Sequence, residues 1–416
     1  MKPRALCWLA GLIIVFACAG AGAGAPRPPL VVVSIDGFRA DYLDRSLTPN
    51  LAAIGREGVR AVAMRPAFPT LTEPNHYTLM TGLYPDIHGI VDNTMIDRKM
   101  PGMAFGAPHH HADDMDPRWW NEATPLWVTA ERHHLKTATS LWPDDDAVIH
   151  GVSPTYRQSL PAGGGSVSMD QQVDTVLGWL DLPPSQRPAL IRVNFDVVDL
   201  MGRVAGPDSR RVDVAIGQAD AAIGRLVQGL KARGLYDKVN LVIVSDHGMA
   251  AISPDRVIYL DDLIDLNFAV VPSVGAVAGI DPAPGHEAAI DAALLPRHDH
   301  MTCWRKDEIP ARLHDGTNAR VPRIVCLAQV GWSIVTRAQS ALYSHLLGND
   351  GYDPGEPTMA AIFLAHGPGF RPGVVLPVFD NIAVYPMFLG LMGFLGLNPR
   401  YSDENVTPLV PALRHP

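Results

Sequence analysis

Asp36, Asp199 and the adjacent Asp246-His247 pair are the residues of this sequence whose types and placement could do chemistry together. Asp36 directly follows the apolar run Leu30-Val31-Val32-Val33-Ser34-Ile35, and Asp246-His247 follow Val239 to Val244 after one serine. Asp199 lies just past a third run, Ala189 to Phe195. Dispersed carboxylates and imidazoles predict a metal held by mixed oxygen and nitrogen ligands, a set that suits zinc. A lone aspartate at a strand end can equally cap a helix or sit satisfied in a core. The Asp246-His247 pair is more specific, because two ligand types meet where an apolar strand stops and Gly248 lets the chain turn.

The elements that must position these groups alternate. The β-branched runs are continuous rather than alternating, as expected of strands buried on both faces of a parallel or mixed sheet. Between them the spacing predicts helices: one opened by Thr48-Pro49 and closed at Gly58, and a longer one from about Ser209 to Arg233. The longer helix carries Val212, Ile216, Ala219, Ile223, Leu226 and Leu230 on one stripe, with Gly234 after it. A late strand, Ala360 to Leu364, runs toward His366. The fold class is therefore α/β, and in open α/β sheets ligands bind beyond the carboxyl ends of the strands, where the three acidic positions fall. Asp97 to Arg118, rich in Pro, Gly and Met and containing His109-His110-His111, reads as an inserted surface loop. From about 257 to 337 the pattern loosens into a candidate inserted subdomain. Ile382 to Leu397 is apolar but broken by Pro386 and three glycines, which favours a buried terminal helix over a membrane span.

The chain has 416 residues, 47% hydrophobic and 19% charged, enough to bury a large core and unlike a disordered or fibrous sequence. Lys2 and Arg4, the apolar stretch Leu6 to Ala19 and the small residues Ala21 to Ala25 read as a signal peptide over residues 1–25, leaving a mature chain of 26–416. Export to the periplasm or the exterior is the expectation; Cys18, preceded by a poorly matching Phe16, is the weaker sign of a lipoprotein. Losing Lys2 and Arg4 reduces 34 basic residues to 32 against 43 acidic ones, a charge near −11. That balance argues against binding nucleic-acid polymers or anionic membranes. Cys303 and Cys326 are the cysteines left, and an oxidising compartment would let them pair.

The segment Phe68-Pro69-Thr70-Leu71-Thr72-Glu73-Pro74-Asn75-His76-Tyr77-Thr78-Leu79-Met80-Thr81-Gly82, continued by Leu83-Tyr84-Pro85 and His88-Gly89-Ile90, resembles the nucleotide pyrophosphatase/phosphodiesterase family of the alkaline-phosphatase superfamily. Ile35-Asp36-Gly37, Gly206-Pro207, Ser245 to Met249 and Gly367 to Phe370 extend the resemblance over essentially the whole mature chain. It implies an alkaline-phosphatase-like central sheet, largely parallel, with helices on both faces. By the same resemblance Thr72, which directly precedes the x-Pro-Asn-His element, is the nucleophile rather than Thr70. Asp36, Thr72, Asp246 and His247 are then one zinc site, Asn93 binds a phosphoryl oxygen, and Tyr156 matches an aromatic that packs a nucleobase or other leaving group. Physical chemistry agrees: a threonine hydroxyl needs a cation to stabilise its alkoxide, and a helix starting after Pro74 would favour phosphoryl charge.

Three departures set this chain apart. Glu73 stands where the family usually has an aromatic, removing one wall of a base-stacking clamp. The motif D-x-x-G-H-x-x-G-P reads Asp199-Leu200-Met201-Gly202-Arg203-Val204-Ala205-Gly206-Pro207, and G-x-H-G-Y-D reads Gly348-Asn349-Asp350-Gly351-Tyr352-Asp353. Both second-metal histidines are thus replaced. Arg203 cannot ligate a cation and is expected to pair with Asp199 and Asp350 and to meet substrate phosphate; His345 and His366 are nearby substitutes, each more simply structural. The expected activity is phosphodiester or pyrophosphate cleavage through a phosphothreonine intermediate, on a small nucleotide-like substrate, slowed by loss of the second metal. The competing expectation is an impaired relative that binds a phosphorylated ligand or partner. A sulfatase would need a Cys or Ser nucleophile and a following arginine, absent from Thr72 to His76.

Overall fold

A computed structural model describes residues 27–106, 111–161, 165–394 and 403–414. The expected signal segment and His109-His110 lie outside the described residues. An eight-stranded sheet runs in the order Val374–Leu376, Val59–Ala61, Phe363–His366, Asn240–Val244, Leu30–Ile35, Leu190–Phe195, Thr137–Ser140, Tyr156–Gln158. Leu30–Ile35 is its centre, parallel to both neighbours in a register that pairs Val33 with Val193 and Ile243. Its side chains alternate between two cores. Leu30 and Val32 face the cluster built with Leu79, Leu126, Trp127 and Phe388, while Val31, Val33 and Ile35 face Val173, Ile216, Ile223 and Leu226. Both faces are therefore covered by helices, which explains why the run is apolar at every position but Ser34.

The late strand begins at Phe363 and runs antiparallel to both of its neighbours, Asn240–Val244 and Val59–Ala61. His366 consequently pairs with Leu241 at the start of its neighbour, on the edge away from the acidic strand ends. There it stacks on Tyr236 at 4.1 Å between ring centroids, with Asp237 3.7 Å away. His366 is a structural residue rather than a substitute ligand, and His345 is exposed.

The first helix, Pro49–Glu57, begins where the sequence places it, but Thr48 does not cap it. The Thr48 hydroxyl points back to the Leu43 carbonyl, and Asp220 of the long helix Arg210–Ala232 accepts from Asn50 and Leu51 N–H instead. A buried carboxylate facing two free N–H groups displaces the weaker hydroxyl cap. Ser209 does cap the long helix, accepting from Val212 N–H.

Residues 269–328 hold a separate antiparallel sheet in the order Ala269–Ser273, Val277–Pro282, Ile324–Ala328, Met301–Arg305. Cys303 and Cys326 are directly opposite in its last pair and form a disulfide. Breaking it should cost about 3 kcal/mol of stability on the chain-entropy model. Urea denaturation with and without reductant reads that loss, and alkylation before reduction should label neither cysteine. Asp97 to Arg118 is not the simple surface loop its composition suggests. Met100, Phe105 and, just beyond, Trp119 and Trp120 are buried in the first core, and Ala104–Phe105 pairs with Met95–Ile96 as a short hairpin. The terminal helix is Val384–Met392, almost wholly buried. Among the described residues no helix is long and apolar enough to cross a membrane.

Candidate active site

The parallel strands bring Asp36, Asp246-His247 and, on the following helix Val197–Ala205, Asp199 to one edge of the sheet. Gly37 makes this packing fit: it has φ +66°, and a Cβ there would stand 2.9 Å from Asp199 Cα. Its N–H donates to Asp246 Oδ1 at 3.1 Å, tying one strand end to the other. Thr72 enters from above. The helix that carries it is Thr72–Thr81, so it starts before Pro74 rather than after it and Thr72 is its first residue. Pro74 is tolerated there because a first-turn N–H has no helical partner to lose.

Thr72 Oγ1 lies 3.0 Å from His247 Nε2. That nitrogen is also 3.0 Å from Asp350 Oδ2, 3.2 Å from Asp246 Oδ2 and 3.5 Å from Asp36 Oδ1. Four groups, Thr72, Asp350, Asp246 and Asp36, thus converge on His247 Nε2. Asp36, Asp199 and His247 offer ligand atoms all within 4.8 Å of one another. Asp36 Oδ1 and Asp199 Oδ1 are buried with no hydrogen-bond partner, and Asp246 Oδ2 lies 3.3 Å from His76 Nδ1. Buried carboxylate oxygens left unpaired are costly unless a cation completes them, so the donor set fits one divalent ion.

The electrostatics follow. Burial raises the Asp36 carboxyl well above the usual range, and the charges of Asp246 and Asp199 push it further. Burial also pushes Asp246 up, but the imidazoles of His247 and His76 overcome this and hold it below the usual carboxylate range. Burial disfavours a charged His247, yet Asp246, Asp350 and Asp199 together raise it above the ordinary imidazole value. Acids crowded around one imidazole are a stored demand for positive charge.

His76, within the same motif as Thr72, also belongs to the site. It lies one turn after Thr72, and its Nδ1 is 2.9 Å from the Thr72 carbonyl and 3.3 Å from Asp246 Oδ2. A carbonyl only accepts, so Nδ1 carries a proton, and Nε2 is taken up by Ser34 Oγ at 2.9 Å. His76 therefore orients Asp246 and the Thr72 backbone and has no lone pair turned to a metal. Its i, i+4 spacing from Thr72 was the available signal.

Where the second metal would stand, the guanidinium of Arg203 bridges two acids. Its Nε donates to Asp199 Oδ2 at 2.7 Å and its Nη1 reaches Asp350 Oδ1 at 2.8 Å. Burial disfavours its charge, but both carboxylates more than restore it. Nη2 has no partner among the described residues.

Asn93 Oδ1 accepts from Glu73 N–H at 2.9 Å, which leaves its NH₂ group for a ligand. Thr70, the rival threonine, is buried and donates to the Tyr352 carbonyl at 2.8 Å, so its hydroxyl is occupied. The Glu73 carboxyl is raised to about 7, chiefly by burial. Tyr156 opens the outermost strand; its hydroxyl donates to the Gln186 carbonyl and its ring stacks on Trp179. No hydrogen bond, ion pair or ring contact among the described residues joins Tyr156 to Thr72, Asn93 or Arg203.

A largely parallel sheet with helices on both faces, with a threonine hydroxyl and carboxylates gathered at its strand ends, is an alkaline-phosphatase-like α/β fold. The type I phosphodiesterase / nucleotide pyrophosphatase family profile matches residues 30–353, and the chain belongs to that family. It is 35% identical over 392 residues to an uncharacterized pyrophosphatase/phosphodiesterase of Schizosaccharomyces pombe, covering 91% of this chain and 80% of that one. It is 36% identical over 382 residues to the bis(5'-adenosyl)-triphosphatase ENPP4 of Bos taurus, covering 90% and 80%. Murine ectonucleotide pyrophosphatase/phosphodiesterase 5, solved as an inactive threonine-to-alanine variant in complex with AMP, superposes with a TM-score of 0.85 at 35% identity, covering 92% of this chain and 99% of that one. The protein is thus a phosphodiesterase/nucleotide pyrophosphatase-type hydrolase.

Proposed function

We propose that this protein is an exported, metal-dependent phosphodiesterase that attacks with Thr72 and passes through phosphothreonine. The observation that carries the reading is the convergence of Thr72 Oγ1 and the buried carboxylates of Asp36 and Asp246 on His247 Nε2. Asp36, Asp246 and His247, with Thr72 itself, would hold one divalent ion, zinc by ligand type, which when bound favours the alkoxide form of a hydroxyl and offsets phosphoryl charge. Thr72 Oγ1 forms the new bond to phosphorus as the bond to the departing oxygen breaks. The Asn93 NH₂ group and Arg203 Nη2 bind the phosphoryl oxygens, and the first-turn N–H groups of the Thr72 helix favour their charge. Water then hydrolyses the phosphothreonine ester and restores the hydroxyl. Arg203 steadies charge but cannot acidify that water, so breakdown of the ester limits turnover.

The AMP held by the murine relative and the dinucleoside triphosphate in the bovine relative's name support a nucleotide-like phosphodiester or pyrophosphate as substrate. Glu73 in place of an aromatic withholds about 1–3 kcal/mol of base stacking. Discrimination between nucleotides and bis(4-nitrophenyl) phosphate is accordingly weak, and a strong preference for one base would contradict this. One observation favours the second reading, an impaired relative that binds a phosphorylated ligand: Arg203 occupies both acids of the second site. Elemental analysis of the purified protein, paired with phosphodiester, phosphomonoester and sulfate-ester substrates, decides between them. About one metal per chain with phosphodiester turnover supports the enzyme; phosphate binding with no turnover of any ester supports the second reading.

A further inference from the structure

Beyond Arg203 the cleft opens into a cavity of about 380 Å³ that no step above uses. One end is the reaction site: Asn93, Arg203 and Asp350 line it. The walls are mostly apolar, built from Leu71, Met95, Ile96 and Phe105 and, from the inserted sheet and its turn, Val274 and Val277, with Thr94, Gln339, Tyr343 and Asn349 supplying polar groups. Charged groups on its lining are otherwise engaged. Arg203 and Asp350 pair with each other, and Asp92 accepts from Thr94 N–H. The hairpin of Met95–Ile96 with Ala104–Phe105 supplies much of this wall, so the segment that breaks the α/β rhythm has a place in the site. A concave, apolar space of this size with polar groups at one end has the form of a small-molecule pocket.

We propose that this cavity receives an apolar substituent of the substrate, an alkyl or aryl ester arm carried on the phosphate that Asn93 and Arg203 bind. The assignment rests on the phosphodiesterase reading of the Thr72 site and extends it to the class of ester. Arg203 Nη2 and the Asn93 NH₂ group anchor the anion at the mouth, and the chain of the ester replaces water against Met95, Ile96, Phe105 and Val277.

Dialkyl phosphates test this, because they carry the same anion with arms of chosen length, and following alcohol release alongside binding accounts for any turnover. Binding of dimethyl, dibutyl and dihexyl phosphate to the metal-loaded full chain is measured by calorimetry. Affinity should rise about fourfold per methylene buried over the first few carbons. Ile96→Trp and Val274→Trp, each confirmed folded by circular dichroism and thermal melting, should erase that dependence while leaving dimethyl phosphate unchanged. The two substitutions lie on different elements, so either one that folds gives the answer. If dimethyl phosphate binds but affinity is flat with chain length, the pocket assignment falls and the phosphodiester site stands. Retention of the full dependence in the folded tryptophan variants also overturns it. If no dialkyl phosphate binds the unaltered protein, the reading of the Thr72 site fails with it.

Discussion

Thr72→Ala should lower phosphodiester cleavage by about 10⁴-fold or more while leaving the thermal melt nearly unchanged, the scale of loss expected when a nucleophile is removed. The hydroxyl is the group that His247 Nε2 meets at 3.0 Å, and only that contact is lost with it. The helix keeps its start, because the bond from His76 Nδ1 goes to the Thr72 backbone carbonyl rather than the side chain. Thr70→Ala should behave in the opposite way. Its hydroxyl satisfies the buried Tyr352 carbonyl, so removal should cost about 1–2 kcal/mol of stability and little activity. Mass spectrometry of acid-quenched enzyme adds a direct readout: slow ester breakdown should leave a phosphate on Thr72 during turnover. Equal rates for wild type and Thr72→Ala would end the assignment.

Restoring histidine at both altered positions, Arg203→His with Asp350→His, should raise bound metal from about one to about two per chain. Turnover should rise by about 10²-fold, since a second cation contributes several kcal/mol of charge stabilisation. Either single change should do far less. Arg203→His leaves Asp199 and Asp350 facing each other without the guanidinium that joins them, and Asp350→His leaves Arg203 beside the new ligand. Asp350 also faces His247 at 3.0 Å, so its replacement reaches into the first site and the two centres are energetically coupled. Metal stoichiometry alongside pre-steady-state kinetics separates these effects. A doubled metal content with unchanged rate would show that the second site is not what limits turnover.

The strand ends were legible because continuous β-branched runs leave few other structures open, and Asp36 and Asp246 mark where those runs stop. Strand direction was not, since Phe363–His366 reads the same in either sense until its partners are known; nearness in sequence to the altered motif made His366 a candidate, and the antiparallel pairing carries it to the other end of the sheet. Tyr156 was chosen by resemblance, and only three-dimensional pairing places it on the outermost strand. His76 and Asp220 escaped notice because their contacts reach across the fold: His76 meets Ser34 and Asp246, and Asp220 meets residues about 170 positions earlier. Local periodicity carries no record of such meetings.

The carboxylate of Asp220 at the start of Pro49–Glu57 also bears on the order of assembly. A nine-residue helix without a side-chain cap of its own is too short to persist in water. Its two free N–H groups find their acceptor only when the long helix Arg210–Ala232 has formed and docked. During synthesis the early helix must therefore wait for a residue made much later, and the nascent amino-terminal third cannot settle alone. The same dependence makes this contact a late, cooperative seal: once closed, neither helix frays without disturbing the other.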